Sequence, residues 1–172
     1  MGPLDRTKAM HHRGNGHRLA MRGDVGGAIR EYKKALELDP SDFACAGALG
    51  EAYSGLGDWG NAVAYLKKSI ALNPSHPRAR GDLCMALLRM GELDDAEKEA
   101  HAALELSPYY WMPNFVLAIL CELGGKYAEA AEWFHRSAHS TTDTPGADQW
   151  PRFKERSIVC DATLWPATSR VE

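Results

Sequence analysis

Small and turn-forming residues return in this sequence every 34 positions. Alanine and glycine each occupy one column four times, and proline occupies a third column three times: Ala28, Ala62, Ala96, Ala130; Gly23, Gly57, Gly91, Gly125; Pro40, Pro74, Pro108. Three columns in one register would rarely arise by chance, and a period of this length is typical of stacked helical repeats. Because such arrays usually present an extended binding surface, the sequence predicts a binding role and leaves the partner unnamed.

Each 34-residue unit has the pattern of two amphipathic helices joined by a short turn. In the second unit the helices are predicted over residues 42–54 and 59–71, with a break at Gly57–Asp58. Glycine suits the left-handed conformation that closes a helix, and a proline after the second helix cannot continue its hydrogen-bond ladder. Acidic residues follow three of the turn glycines, where negative charge favours the N-terminus of a new helix: Asp24, Asp58 and Glu92.

These segments resemble the tetratricopeptide repeat (TPR) family. The second halves of three units, ending at Pro40, Pro74 and Pro108, are similar to the second half of that repeat, and Leu49-Gly50 and Tyr53 match columns of its first half. The resemblance covers about residues 9–140. It implies an all-α fold, a right-handed superhelical solenoid of four helix-turn-helix repeats with a C-terminal capping helix. It also implies protein–protein interaction rather than catalysis, with no cofactor.

The repeat register divides the chain. We expect a flexible N-terminus over residues 1–8 and four repeats over 9–42, 43–76, 77–110 and 111–144. A linker with the capping helix is expected over 145–166 and a flexible tail over 167–172. The first helix carries Gly14 and Gly16 and lacks a strong apolar stripe, so it is expected to fray. The capping helix is expected over about residues 149–164, where it would cover the exposed face of the last repeat.

Composition excludes several other classes of protein. The 20 basic and 23 acidic residues are interspersed and give a net charge of -3, which provides no footprint for nucleic acid or an anionic membrane. No apolar run approaches the ~20 residues that cross a bilayer, so we expect a cytoplasmic protein; a mature chain lacking its signal is the alternative. Four scattered cysteines are expected to be reduced, without a zinc site or disulfide: Cys45, Cys84, Cys121 and Cys160.

By resemblance to the family, the first helices line a concave face. The residues expected to contact a partner there are Arg13, His17, Glu51, Arg78, Met85, Leu88, Arg89, Met112, Phe115 and Ile119. Their arginines and apolar side chains predict a basic and apolar groove that fits a peptide or helix with acidic and hydrophobic anchors. The alternative is that the chain's own tail partly covers Met112, Phe115 and Ile119.

An aromatic run follows the third repeat: Tyr109, Tyr110 and Trp111. Rings at helix-packing positions often belong to a core, but aromatic and arginine side chains also dominate interface energetics. We therefore expect this run, beside Arg78, to be the ligand anchor.

A carboxylate-binding site of the kind found in some TPR proteins is not expected. Those proteins hold a chaperone's C-terminal carboxylate with Lys, Asn and Arg at positions that read here Arg13, His17, Ala48, Arg78 and Asp82. Such a site needs several donors that converge on the carboxylate. Here Ala48 lacks the amide, and Asp82 would repel the ligand.

Metal and catalytic sites are not expected either. His135 and His139 lie one helical turn apart, with Glu132 a turn earlier, but the column of His101 and His135 holds lysine at positions 33 and 67, which indicates a solvated face. No catalytic triad spacing or phosphate loop is present. The leading hypothesis is a non-enzymatic scaffold or adaptor that binds a segment of another protein. Self-assembly is the alternative.

Overall fold

The computed structural model describes residues 3–139, and these form eight α-helices without a strand. The helices are α1 Pro3–Met21, α2 Val25–Leu38, α3 Phe43–Gly55, α4 Trp59–Leu72, α5 Pro77–Met90, α6 Leu93–Leu106, α7 Trp111–Leu123 and α8 Tyr127–His139. The predicted all-α fold is confirmed, and α3 and α4 each lie within one residue of the helices expected in the second unit.

The turns inside the repeats have the expected geometry. All four turn glycines adopt a positive φ between 72° and 82°, where a side chain would be strained. Asp24 and Asp58 then accept hydrogen bonds from the backbone N–H groups of Gly27 and Asn61, which begins the next helix. Glu92 stands at the same place and makes no such side-chain bond.

The small columns are buried where the two helices of a repeat meet. The alanines at 28, 62 and 96 have no exposed surface, and that at 130 is 3% exposed. A Cβ added to Gly50 would lie 2.6 Å from Cγ of Leu66 and 3.2 Å from the carbonyl oxygen of Ala62. Such a close approach of α3 to α4 leaves no room for a larger side chain at Gly50 or Ala62.

A further column of small residues holds Ala35 and Ala103 in the first and third repeats and serine in the other two, where the hydroxyl adds a hydrogen bond. The buried Ser69 donates its hydroxyl to the carbonyl oxygen of Phe43 at 2.8 Å, and Ser137 donates to that of Trp111 at 3.1 Å. In both cases the bond ties the second helix to the first turn of its own repeat's first helix. The hydroxyl therefore satisfies a backbone carbonyl without enlarging the contact.

The first helices form the inner layer of the stack. Each one lies against the next, α1 on α3, α3 on α5 and α5 on α7, whereas the backbones of the second helices stay further apart within the described chain. Elements nearer the centre of a curve approach more closely than those outside it. The first helices therefore line the concave side, as the family resemblance implied.

The N-terminus differs from the expectation. The chain is helical from Pro3 onwards, so residues 3–8 belong to α1 rather than to a flexible segment, and the helix is continuous through Gly14 and Gly16. Gly16 faces the ring of Tyr32, where a Cβ would lie 2.5 Å from Cε1. Glycine at position 16 allows α1 to pack closely against α2, and this packing offsets the poor helix propensity of the residue. The expected linker, capping helix and tail lie outside the described residues.

No helix within residues 3–139 is long and apolar enough to cross a membrane.

Candidate protein-binding groove

An ion pair joins two inner helices at the middle of the concave face. Nη2 of Arg78 on α5 lies 2.6 Å from Oε1 of Glu51 on α3, and Nε of Arg78 lies 3.9 Å from Oδ2 of Asp82. The Arg78 and Glu51 side chains are 62% and 52% exposed, so the pair is open to solvent. The guanidinium is shared between two acids of its own chain.

Asp82 lies deeper than its neighbours. Its side chain is 12% exposed, and burial, assisted by the negative charge of Glu51 and opposed by Arg78, raises its pKa to about 7. The phenol of Tyr110 is packed beside it, and burial raises the pKa of that phenol, with a smaller contribution from Asp82. The centre of the groove is therefore a partly desolvated acidic position.

Tyr110 reaches this position because residue 81 is glycine. A Cβ at Gly81 would collide with Cε1 of the tyrosine ring. Gly81 therefore lets the segment that precedes α7 close over α5.

The N-terminal end of the groove is also internally paired. Nη1 of Arg13 contacts both carboxylate oxygens of Asp42, at 2.8 and 2.6 Å, and so ties α1 to the N-cap residue of α3. The Tyr32 hydroxyl is 3.1 Å from Nδ1 of the exposed His17. Burial raises the pKa of Tyr32 to about 12, so its hydroxyl stays protonated. Asp42 also accepts from the backbone N–H of Cys45 and so caps α3.

The apolar end of the groove is half-buried. Met85, Met112, Phe115 and Ile119 all keep some exposed surface. The Phe115 ring makes edge contacts with Trp111 and Phe134, with ring centroids 6.4 and 5.8 Å apart. This end offers a surface of thioether, aromatic and aliphatic groups.

Two of the expected contact residues serve other roles. Leu88 is 5% exposed and belongs to the core cluster, because α5 presents this side chain to its neighbours rather than to the concave face. The guanidinium of Arg89 lies 5.6 Å from the centre of the Trp59 ring, at the start of α4. Cation–π contact of this kind holds Arg89 at the turn end of the repeats.

The aromatic run is divided among three surroundings. Tyr110 is packed against Gly81 at the groove centre, and Trp111 lies against Phe115. Tyr109 is 76% exposed and contributes with Trp133 to a different cavity. The three rings therefore do not form one anchor, since consecutive residues at the start of a helix point in different directions.

That second cavity, of about 600 Å³, lies between α6 and α8 on the outer side of the stack. It is lined by His101, Leu104, Glu105, Pro108, Tyr109, Asn114, Trp133, His135 and Arg136. The sequence pattern did not predict this cavity, which lies where the backbones of α6 and α8 remain apart. Trp133 has His101 edge-on at 6.3 Å and the guanidinium of Arg136 at 4.7 Å from its ring centre.

Residues 3–139 contain no group of three His, Cys, Asp or Glu side chains that could hold a metal ion. The cysteines at 45, 84 and 121 are free thiols, and burial raises the pKa of Cys45 to about 12. Cys160 lies outside the described residues.

Comparison with known proteins now gives the family. Three family models match overlapping parts of the sequence: two described as tetratricopeptide repeat, over residues 55–108 and 82–147, and one described as TPR repeat, over residues 16–57. The chain belongs to the tetratricopeptide repeat family. No curated protein sequence matches it.

Solved structures of TPR proteins share this fold. MamA is similar with a TM-score of 0.70 and 23% identity, over 77% of each chain. The first TPR domain of Spaghetti (RPAP3), solved with the HSP90 peptide SRMEEVD, has a TM-score of 0.68 and 23% identity, over 70% of this chain and 95% of that one. The Arabidopsis OM64 TPR domain has a TM-score of 0.68 and 14% identity, over 69% of this chain and 98% of that one. At these identities the likeness shows the fold alone.

Proposed function

We propose that this TPR protein is a non-enzymatic scaffold or adaptor that binds a peptide or helical segment of another protein in its concave groove. The observation that carries the proposal is the character of the inner face. An exposed ion pair, Glu51–Arg78, bridges two repeats beside half-buried Met85, Met112 and Ile119. Apolar surface rimmed by charged groups is typical of peptide-binding grooves.

A related fold supports the proposal by example. The TPR domain of RPAP3 was solved with a bound peptide of seven residues, so a stack of this size can hold a short segment. The contact residues proposed here come from the inner helices of all four repeats: Arg13, His17, Glu51, Arg78, Met85, Met112, Phe115 and Ile119. The partner is another protein, and the even charge balance favours neither nucleic acid nor a membrane.

The test is an affinity capture from the native cell extract, read by mass spectrometry. The wild type is run beside Arg78→Glu/Phe115→Ala in the groove and Arg30→Glu/Tyr127→Ala on exposed positions of the second helices α2 and α8. The expected result is a protein kept by the wild type and the outer variant and lost by the groove variant. Circular dichroism confirms that helicity is equal in all three. A partner kept by the groove variant contradicts the groove assignment.

Self-assembly is a second candidate function. Met10 and Met21 of α1, the first described helix, are 58% and 88% exposed, which leaves apolar groups that a second copy could cover. Sedimentation velocity over a hundredfold concentration range separates the candidates. A sedimentation coefficient that increases with protein concentration supports self-assembly. A coefficient that stays at the monomer value at every concentration rules it out.

We also propose that the protein works in the cytoplasm. Support comes from the unpaired thiols Cys45 and Cys84, which are typical of a reducing compartment. Fluorescence of a tagged copy in its own cells tests the location, and signal confined to another compartment overturns it.

A further inference from the structure

The charges of the concave groove are not equally available to a partner. Arg13 is paired with Asp42, and both carboxylate oxygens of Asp42 contact Nη1 of the arginine. Arg89 lies over the ring of Trp59. Arg78 is joined to Glu51 at 2.6 Å. Each arginine that made the groove look basic from the sequence is therefore engaged within the chain.

The acidic groups at the centre are less well neutralised. Glu51 and Asp82 share the single guanidinium of Arg78, and Asp82 is 3.9 Å from it, beyond hydrogen-bond distance. With both acids ionised, the three groups carry one net negative charge. Asp82 is largely removed from water, and charges act more strongly in such surroundings.

We propose that the segment bound in the groove places a lysine or arginine side chain against Glu51 and Asp82, with apolar side chains toward Met85, Met112 and Ile119. This rests on the groove function proposed above and names the chemistry of the partner. The cation would complete the neutralisation that Arg78 begins, and the neighbouring thioether and aliphatic groups would receive the apolar residues. The sequence predicted acidic anchors on the bound segment, whereas this proposal gives that segment a basic anchor.

Charge complementarity also works against the opposite ligand. A carboxylate brought to this position would be the third acid around one guanidinium, and like-charge contact of this kind excludes wrong partners. To accept it, the groove would have to protonate Asp82 or break the Glu51–Arg78 pair.

The proposal has a pH signature. The groups that face Asp82 from the packed elements are Glu51 of α3, Arg78 of α5 and Tyr110 before α7. Arg78 and Tyr110 keep their protons throughout the neutral range, so Asp82 is the group that loses one near pH 7. Affinity for a cationic segment should rise between pH 6 and 8, since the ligand favours the ionised acid.

The probe is a phage-displayed library of random dodecapeptides selected on the full chain. Selections use the wild type, Glu51→Gln/Asp82→Asn, and the matched double variant Glu37→Gln/Glu97→Gln, which removes two exposed carboxylates of the second helices. The replacements are isosteric, and circular dichroism verifies the fold. We expect wild type and matched variant to enrich Lys or Arg over Asp or Glu by about two- to fivefold, and the groove variant to lose that preference. A recovered peptide should bind more tightly at pH 8 than at pH 6.

The outcomes distinguish the two proposals. Enriched peptides with acidic or purely apolar anchors overturn the cationic anchor and leave groove binding in place. A basic preference that survives in Glu51→Gln/Asp82→Asn overturns the assigned position. A failure to enrich any peptide contradicts the groove function itself, and the anchor with it.

Discussion

The core between paired helices and the concave face are built from the same helices but differ in how far they repeat. In the core, one column is alanine in all four repeats and another stays small: Gly16, Gly50, Cys84 and Ala118. On the concave face, a column spaced in the same way reads His17, Glu51, Met85 and Ile119. Repetition is kept where the distance between helices is fixed and is absent on the face where we propose that a partner binds.

The two regions also differ in what their side chains contribute to stability. Leu66 and Ala62 are fully buried, so changing their volume alters close packing directly. Arg78 and Glu51 are more than half exposed, and ion pairs in water contribute little. Substitutions in the core should therefore change unfolding, and substitutions in the groove should change binding.

The largest effect is expected from Leu66→Ala. Removing this fully buried side chain should lower the free energy of unfolding by about 2–5 kcal/mol through lost burial and a residual cavity. Leu72→Ala on the same helix, at a 41% exposed position, is the control and should change it by about 0.5 kcal/mol or less. Urea titration measures both. Equal losses would mean that the repeats do not depend on this interior.

Asp82→Asn probes the border between core and groove. The folded pKa of Asp82, about 7, is above its ordinary 3.8, so folding is favoured by proton uptake. The contribution of the bound proton to folding stability is complete below about pH 4 and is lost as the pH rises through 7. The variant should match wild type near pH 4 and exceed it by up to about 4 kcal/mol at pH 8. Urea titrations across this range test it, and a difference independent of pH would contradict it.

Ala62→Leu tests the close approach directly. Overpacking against Gly50 should cost about 1–3 kcal/mol. Ala64→Leu, two residues further at an exposed position, should be nearly neutral. Thermal unfolding followed by circular dichroism compares them. A tolerated leucine at 62 would show that the alanine column is not fixed by packing.

The smallest effect is expected at the groove's ion pair. A double-mutant cycle with Glu51→Gln and Arg78→Gln should give a coupling in unfolding of about 0.2–1 kcal/mol, which decreases in high salt. The same variants should alter peptide binding far more than unfolding. A coupling as large as the core effects would remove the distinction between the two regions.

The repeated part of the fold could be predicted because its causes are local. Gly57 closes α3 by its own φ, and Asp58 caps α4 within three residues. The alanine column marks the helix contacts. The first helix was misjudged because Gly16 was weighed by propensity, whereas its role depends on the ring of Tyr32 across the repeat.

The groove was predicted less well because its contacts connect one inner helix with the next. Arg78 and Glu51 are 27 positions apart, and Arg13 and Asp42 are 29 apart. The period places such residues in neighbouring columns but does not fix rotamers or show which pairs meet. The arginines were therefore interpreted as free positive charge, although Asp42 pairs with Arg13 and Glu51 pairs with Arg78.

The contact pattern of the layers has a mechanical consequence. Across repeat boundaries the first helices pack backbone to backbone, whereas the second helices of the described chain approach one another only through side chains, as His101 does with Trp133. Few contacts between second helices resist a change of the outer spacing, so we expect bending to be the softest deformation of this stack. A ligand seated inside can change the curvature, and distance probes on α2 and α8 would register it as a lengthening or shortening of the outer arc.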